Sequence, residues 1–198
     1  MKYWYKLNIA YDGTDYSGWQ WQPNRSTIQE TIKTSFLKAF KQSEVHLVGA
    51  SRTDAGVHAQ GQIARLGTTL DLEPRILEAT LNKSLPHSIR INSCIKLPDQ
   101  QRFHPQHGVR LKTYVYTIFT QRPCPTQHRY GYFHWSDKLD REKLKQTLEL
   151  FIGTHDFKSF AKRSTHQPDT IRTITNIVTI IDEITGNITV SISGASFL

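Results

Sequence analysis

Residues 51–59 read SRTDAGVHA and stand between two short predicted strands, at 45–50 and 61–66. A carboxylate beside a glycine in such a loop often makes only an Asx-turn, in which the side chain binds its own backbone. Arg52 precedes Asp54 by two residues, so both side chains lie on one face if the chain is extended. A neighbouring guanidinium favours the ionised carboxylate and keeps Asp54 ready as a nucleophile or base at neutral pH. These residues alone leave both a structural turn and a catalytic loop open.

The loop lies within an alternation of predicted strands and helices. A strand over 3–11 leads through a turn-rich loop into a helix that Ser26 or Thr27 caps. Apolar side chains recur along one face of this helix, at Ile28, Ile32, Phe36 and Phe40. A second helix opens at Pro74 and closes before Pro86. The remaining predicted elements are a helix over 139–152 and strands over 88–97, 112–120, 171–181 and 188–193.

The order of these elements indicates an α+β fold with a largely antiparallel sheet. We place the division between an N-terminal half, 1–98, and a C-terminal half, 99–198, because prolines cluster at that point. The helix over 139–152 is expected to turn its apolar side chains inward and to end at Gly153.

Composition and charge narrow the class of protein. The chain has 198 residues, enough to bury a core without disulfides. No run approaches the roughly 18 apolar residues of a membrane span, and the N-terminus lacks the apolar stretch of a signal peptide. We therefore expect a soluble, cytoplasmic protein with no membrane partner. The two cysteines and nine scattered histidines match no disulfide framework and no metal-ligand spacing, which predicts a metal-free protein.

Basic and aromatic side chains concentrate between residues 100 and 130. The formal net charge of the whole chain is +8, and this segment holds five basic residues and no acidic one. Cations beside flat rings suit an unpaired, stackable nucleic acid. A strand with an ordinary solvated face explains the same composition equally well. The basic residues are Arg102, Arg110, Lys112, Arg122 and Arg129, and the rings are Phe103, Tyr114, Tyr116, Phe119 and Tyr130.

Short motifs accompany the 51–59 loop along the chain. The most specific are YDGT at 11–14 and GWQ at 18–20. The others are QP at 22–23, TIQ at 27–29, FHP at 103–105, KTYVY at 112–116, GTHDF at 153–157 and RTI at 172–174. In this order, and over essentially the whole chain, the motifs resemble the TruA family of tRNA pseudouridine synthases.

The resemblance implies roles for three residues. Asp54 falls on the family's catalytic aspartate, Arg52 on the arginine that accompanies it, and Tyr114 on the aromatic residue that packs against the target base. The family isomerises uridine to pseudouridine in the anticodon arm of tRNA, at positions 38–40, without a cofactor or metal. The implied fold is the pseudouridine synthase fold, in which two RRM/ferredoxin-like halves share one sheet. Members of the family act as homodimers.

Other residues are candidates for milder roles. Lys112 and Arg110 are possible contacts to RNA within the basic segment. Lys162 and Arg163 belong to a run without acids, at 157–168, for which a solvated loop is the equal alternative. We interpret His58 as an orienting hydrogen-bond partner within the 51–59 loop. The tryptophans of the early loop, Trp19 and Trp21, either contact RNA or cap the core, and we favour the structural role.

The sequence departs from the family pattern at several positions. Ser51 stands where glycine is usual, Gln106 and His107 stand where Arg-Phe is common, and Val115 replaces a frequent basic residue. The chain also stops at Leu198, before the helix in which the family carries the basic partner of its catalytic aspartate. We therefore expect a truncated product or fragment that is less stable than a version extended by the missing helices.

Three functions from different classes remain open. The first is a tRNA pseudouridine synthase that acts through Asp54. The second is a tRNA-binding remnant that has lost catalysis with its C-terminal segment. The third is a carboxylate-based glycoside hydrolase, which needs a second positioned acid. No residue near Asp54 in the sequence supplies that acid.

Overall fold

The structure of the chain is a computed structural model, which describes residues 2–98, 103–120, 132–133, 139–161 and 169–197. The chain forms two compact units, Met1–Gly108 and Val109–Leu198. Each unit contains its own sheet. The sharing of one sheet by two halves, and their division at 98/99, stay predictions.

The first unit alternates four strands with two helices. Its sheet has the order β2-β3-β1-β4, and every neighbouring pair is antiparallel. The elements are β1 (Tyr3–Tyr11), α1 (Ile28–Phe40), β2 (His46–Gly49), β3 (Ala59–Thr68), α2 (Pro74–Ser84) and β4 (Ile89–Lys96).

The core of this unit lies between one face of the sheet and the two helices. Side chains alternate along β1, so that Tyr5, Leu7 and Ile9 are completely buried. The predicted stripe of α1 faces this core, with Ile28, Ile32 and Phe36 fully buried and Phe40 partly buried. From α2, Leu77 and Leu81 complete the same cluster.

Both helices of the first unit begin where their capping residues predict. The buried Thr27 hydroxyl accepts a hydrogen bond from the Glu30 amide, which satisfies one free N–H of the first turn. Pro74 occupies the first turn of α2, where its missing N–H costs no hydrogen bond. The carboxylate of Glu73 accepts from the Ile76 amide and caps that helix.

The second unit is dominated by a five-stranded sheet of order β6-β5-β9-β8-β7. Its strands pair antiparallel, apart from β5 and β6, which are parallel. The elements are β5 (Lys112–Phe119), β6 (Tyr132–Phe133), α3 (Arg141–Glu149), β7 (Gly153–Asp156), β8 (Ile171–Ile181) and β9 (Ile188–Gly194). A short 3-10 helix, Lys158–Phe160, follows β7. The α+β class with a largely antiparallel sheet is thus confirmed.

The prediction was wrong around Gly153. The helix predicted over 139–152 is shorter, at Arg141–Glu149, although Leu144 and Leu148 are half-buried as their expected inward orientation requires. Gly153 does not simply close this helix, because it begins β7, with a φ of +111° that favours glycine. The strand β7 pairs with β8, whose residue Thr173 lies opposite Thr154.

Candidate active site

The connection between β2 and β3 carries Asp54. The loop is closed at its base by a hydrogen bond from the Ala50 amide to the Ile63 carbonyl, at 2.7 Å. The side chain of Gln62 adds a second closure, because it accepts from the Ser51 amide at 3.2 Å and donates to the Ser51 carbonyl at 2.7 Å. Gln62 is 7% exposed, so its side chain is shielded from most of the competing water. The base of the loop is therefore fixed.

A tight turn forms the tip of this loop. The Val57 amide donates to the Asp54 carbonyl at 3.2 Å, and Gly56 takes a φ of +77°. Asp54 and Arg52 are exposed, whereas Thr53 between them is half-buried. The alternation fits the expectation that both charged side chains share one face. No ion pair joins Arg52 to Asp54 in the part of the chain that the structure describes.

The segment that begins at the last residue of β1 is hydrogen-bonded to the loop. The Trp19 amide donates to the Thr53 carbonyl at 3.0 Å, and the Gly56 amide donates to the Tyr16 carbonyl at 3.1 Å. The Tyr11 hydroxyl is hydrogen-bonded to the Thr53 hydroxyl at 2.8 Å. Residues 11–19 therefore hold the loop on both sides of Asp54, and we call them the cradle.

Two glycines of the cradle allow the two backbones to touch. A Cβ atom at Gly13 would overlap the carbonyl oxygen of Val57. A Cβ at Gly18 would lie 2.5 Å from the carbonyl oxygen of Thr53, and Gly18 also has a φ of +88°. The YDGT and GWQ motifs thus owe their glycines to this close approach.

A buried tryptophan fixes the cradle to the core. Trp19 is 1% exposed and packs against Tyr11 with ring centroids 6.1 Å apart. A Cβ at Gly49, the last residue of β2, would lie 2.5 Å from the Trp19 ring. The structural interpretation of Trp19 is borne out by its burial, whereas Trp21 is half-exposed.

Asp12 and His58 connect the cradle to the end of the loop. The His58 Nδ1 atom lies 3.1 Å from the Gly13 amide nitrogen and 3.1 Å from the Asp12 Oδ1 atom. Asp12 Oδ1 also accepts from the amide and hydroxyl of Thr14, at 3.0 and 2.6 Å. His58 thus makes the kind of orienting contact that the sequence predicts, with a partner, Asp12, that the sequence does not identify.

Tyr114 lies in the second unit, on the same face of β5 as Lys112. Its ring is half-buried and meets Phe197 edge-on, with centroids 4.9 Å apart. Burial lowers the pKa of the Lys112 ammonium below its usual range. Arg110 is exposed. Lys162 and Arg163 lie outside the described residues.

A family profile described as tRNA pseudouridine synthase matches residues 8–105 and 148–198. These ranges cover about three quarters of the chain and include the whole cradle and the Asp54 loop. The chain belongs to the tRNA pseudouridine synthase family.

Individual relatives agree with this assignment. Over 173 residues the chain is 42% identical to tRNA pseudouridine synthase A 1 of Protochlamydia amoebophila, covering 86% of this chain and 67% of the relative. It is 42% identical over 170 residues to tRNA pseudouridine synthase A of Thermodesulfovibrio yellowstonii, covering 85% and 65%. It is 38% identical over 172 residues to tRNA pseudouridine synthase A 2 of Clostridium perfringens, covering 87% and 69%. The chain spans about two thirds of the length of these curated relatives.

In this member of the tRNA pseudouridine synthase family, the matched ranges include some of the candidate site residues and leave one out. Asp54, Arg52, Asp12 and His58 fall inside the first matched range. Tyr114 falls between the two ranges, so its assignment depends on the KTYVY motif alone.

The described residues contain no group of three or more His, Cys, Asp or Glu side chains that could hold a metal ion. Among the same residues, none of the helices has the length and apolar composition needed to cross a membrane. The chemistry available at the loop is that of an exposed carboxylate, with a guanidinium two residues away.

Proposed function

We propose that this chain isomerises uridine to pseudouridine in tRNA and that Asp54 is the catalytic residue. One structural observation supports the role of Asp54 in addition to family membership. The Asp54 side chain is exposed, with no hydrogen bond or ion pair to the rest of the described chain, although the backbone around it is held by the cradle. A turn-forming aspartate would bind its own backbone instead. A carboxylate that reacts with a bound substrate must be held in a fixed position and must be accessible to that substrate, and this arrangement meets both conditions.

The reaction itself balances without an added oxidant or cofactor. The bond between uracil N1 and ribose C1′ breaks, the uracil turns, and C5 bonds to C1′. C5 loses its proton and N1 gains one, so that the product has the atoms of the substrate. The carboxylate of Asp54 either attacks the sugar or assists its deprotonation, and both routes need it ionised.

Tyr114 and Arg52 are proposed to hold the substrate. The detached uracil must not escape, and an aromatic ring that stacks on it keeps it in place. The edge-on contact with Phe197 supports this role, because it restricts the ring of Tyr114. Arg52 is exposed beside Asp54 and offers a cation to a phosphate of the target nucleotide.

The anticodon arm of tRNA, at positions 38–40, is the proposed target. A uridine in or beside a stem has to be unstacked, which costs a few kcal/mol. The net charge of +8 supplies attraction for the tRNA backbone that offsets this cost. Lys112, Arg110, Lys162 and Arg163 are the proposed contacts. The partly desolvated ammonium of Lys112 supports its inclusion, because a phosphate would supply the charge that its surroundings lack. The protein is proposed to act as a homodimer.

A second function is the binding of tRNA without catalysis. In this alternative the chain binds tRNA but does not isomerise uridine. Both functions predict binding that weakens steeply with salt, so that product formation alone separates them.

The test is direct analysis of the product. Unmodified tRNA transcripts are incubated with the 198-residue chain, digested to nucleosides and separated, and the modified position is mapped by carbodiimide labelling and primer extension. We expect pseudouridine at one or more of positions 38–40, and none in transcripts with cytidine at those positions. Salt-sensitive binding without any pseudouridine would assign the binding function, and pseudouridine elsewhere would refute the anticodon-arm target.

A further inference from the structure

The face of the first sheet that points away from the helices carries cations without counter-ions. Residues alternate along β1, so that Trp4 and Lys6 lie on this face while Tyr5 and Leu7 are buried in the core. Arg65 of β3 lies directly opposite Lys6 in the register of the two strands. The four strands of this sheet contain no aspartate or glutamate. Among the described residues, no ion pair joins Lys6 or Arg65 to an acid elsewhere.

This arrangement of charges is unfavourable without a ligand. Like charges that lie directly opposite each other on neighbouring strands destabilise a sheet. Arg90 of β4 adds a third cation to the same face, because it is exposed and lies opposite Ala10 of β1. The Lys6 ammonium lies 5.7 Å from the centroid of the Phe103 ring, near the outer limit of a cation–π contact. The three cations therefore indicate a ligand with several negative charges.

The guanidinium of Arg65 is held in place before any ligand binds. Its central carbon lies 3.6 Å from the centroid of the Trp4 ring, over which it forms a cation–π contact. The Trp4 ring is itself fixed, since it meets His46 edge-on with centroids 5.8 Å apart. The ring also fills the space at Gly67, where a Cβ atom would lie 2.4 Å from it. Arg65 therefore loses little conformational freedom when a ligand binds.

The Arg65 side chain has donors but no acceptor. Its Nε atom is buried and has no hydrogen-bond partner among the described residues, which leaves the terminal Nη groups as donors for a ligand. Burial lowers the pKa of this guanidinium below its usual value, because the cation has lost part of its water. Phosphate oxygens accept hydrogen bonds from a guanidinium and carry the opposite charge. A phosphate would thus supply both the acceptor and the charge that the surroundings of Arg65 lack.

Arg65 lies well away from the Asp54 loop on the same sheet. The strand β3 begins at Ala59, the last residue of the 51–59 loop, and Arg65 lies six residues further along it. At the rise of a β-strand, this separation is roughly 20 Å. Arg65 therefore does not touch a nucleotide that reacts at Asp54, and it is placed to contact a more distant part of the same RNA.

We propose that Lys6, Arg65 and Arg90 bind backbone phosphates of tRNA on this face of the first sheet, at a distance from the target uridine. The choice of tRNA as the polyanion rests on the proposed function. Contacts to phosphate raise affinity and fix the position of a nucleic acid without taking part in the chemistry. These residues should therefore lower the KM for tRNA and leave kcat unchanged. None of the three belongs to the family motifs in the sequence.

Binding of an unmodified tRNA transcript to the 198-residue chain, measured at several salt concentrations, tests this proposal. We expect Arg65→Gln to raise the Kd about tenfold, the cost of a lost hydrogen bond to a charged group. The slope of log Kd against log salt should fall by about one unit. Lys6→Gln should change Kd and slope in the same directions without lowering the melting temperature of the free protein. Relief of the repulsion with Arg65 offsets its lost contact with Phe103.

Arg75→Gln is the matched control, because it removes the same charge from an exposed position on α2, on the helix side of the sheet. It should leave Kd and the salt slope close to those of the parent chain. Circular dichroism reports whether each variant is folded, and Lys6→Gln and Arg90→Gln decide the question if Arg65→Gln is unstable. The proposal is overturned if the folded variants bind tRNA like the parent, or if Arg75→Gln weakens binding equally.

Kinetics with tRNA as substrate separate this proposal from the proposed function. Arg65→Gln should raise KM and leave kcat unchanged, and a fall in kcat alone would contradict a role in binding. A parent chain that binds tRNA but forms no pseudouridine overturns the isomerase function, while the comparison of Kd values still decides whether this face binds RNA. A parent chain that does not bind tRNA overturns both.

Discussion

Gly18 and Gly56 share a left-handed backbone but differ in what surrounds them. Gly18 has a φ of +88° and presses on the Thr53 carbonyl, whereas Gly56 has a φ of +77° and open space where a Cβ would point. The first glycine is therefore required by both conformation and contact, and the second by conformation alone.

Alanine at these two positions should separate the two requirements. We expect Gly56→Ala to lower the free energy of unfolding by about 1 kcal/mol, the cost of a left-handed alanine. Gly18→Ala should cost roughly twice that or more, because the new methyl group also displaces the Thr53 backbone. Urea denaturation of the two variants beside the parent measures the difference. An equal loss in the free energy of unfolding for the two variants would mean that the contact between Gly18 and the Thr53 backbone contributes nothing.

At the residue scale, the sequence names candidate site residues but not the contacts that support their loop. Asp54 and Arg52 are candidates because their motif is local, and the glycines could be recognised as motif residues. The sequence could not predict why positions 13 and 18 must be glycine, since each touches a residue that is distant in the sequence. The partnership of Asp12 with His58 was missed for the same reason.

At the scale of elements, the start of α1 depends on one buried hydroxyl. Thr27 is completely buried and its side chain accepts from the Glu30 amide at 3.4 Å. Its carbonyl also accepts from Thr31, through both the amide and the hydroxyl. The helix follows the cradle directly, because the amides of Ile28 and Gln29 donate to the carbonyls of Gly18 and Trp19.

Removing this cap should destabilise the protein. Thr27→Ala should lower the free energy of unfolding by about 1 kcal/mol, the usual cost of losing an N-cap. Thr34→Ala is the control, since Thr34 is an exposed residue of the same helix and alanine favours helix. Chemical denaturation of both variants provides the comparison. A loss at Thr34 that equals the loss at Thr27 would show that the cap contributes nothing.

Helices and strands with a strong hydrophobic pattern were predicted well. Strands whose bounds depend on pairing with another strand were predicted poorly. The alternation in β1 and the stripe of α1 gave correct elements. The strand β3 is longer than predicted, because Ala59 and Thr68 at its ends pair with Tyr11 and Tyr3 of β1. The short strand β7 was missed, since its pairing with β8 brings together residues from separate parts of the chain.

At the scale of the whole molecule, the two units differ in how much they bury. Among the described residues, a cluster of buried side chains between Tyr5 and Ile91 lies entirely within the first unit. In the second unit, large apolar side chains such as Val115, Ile180 and Phe160 are more than half exposed. The first unit thus has a core of its own, as an independent domain requires.

The first unit should fold alone. We expect a polypeptide of residues 1–108 to unfold cooperatively on heating, with one transition that circular dichroism and tryptophan fluorescence report at the same temperature. The buried Trp19 is the natural probe, because its environment exists only in the folded unit. A gradual, non-cooperative change would show that the first unit needs the second for its stability.

The central claim is that this family member isomerises uridine through Asp54, and tritium release from tRNA labelled at uridine C5 tests it most directly. That hydrogen leaves only when C5 becomes the glycosidic carbon. The parent chain should release tritium, and Asp54→Asn should release none while still binding tRNA. Asp15→Asn, an exposed carboxylate of the cradle without a described contact, should match the parent. Release by Asp54→Asn at the parental rate, or none by a tRNA-binding parent, would contradict the account.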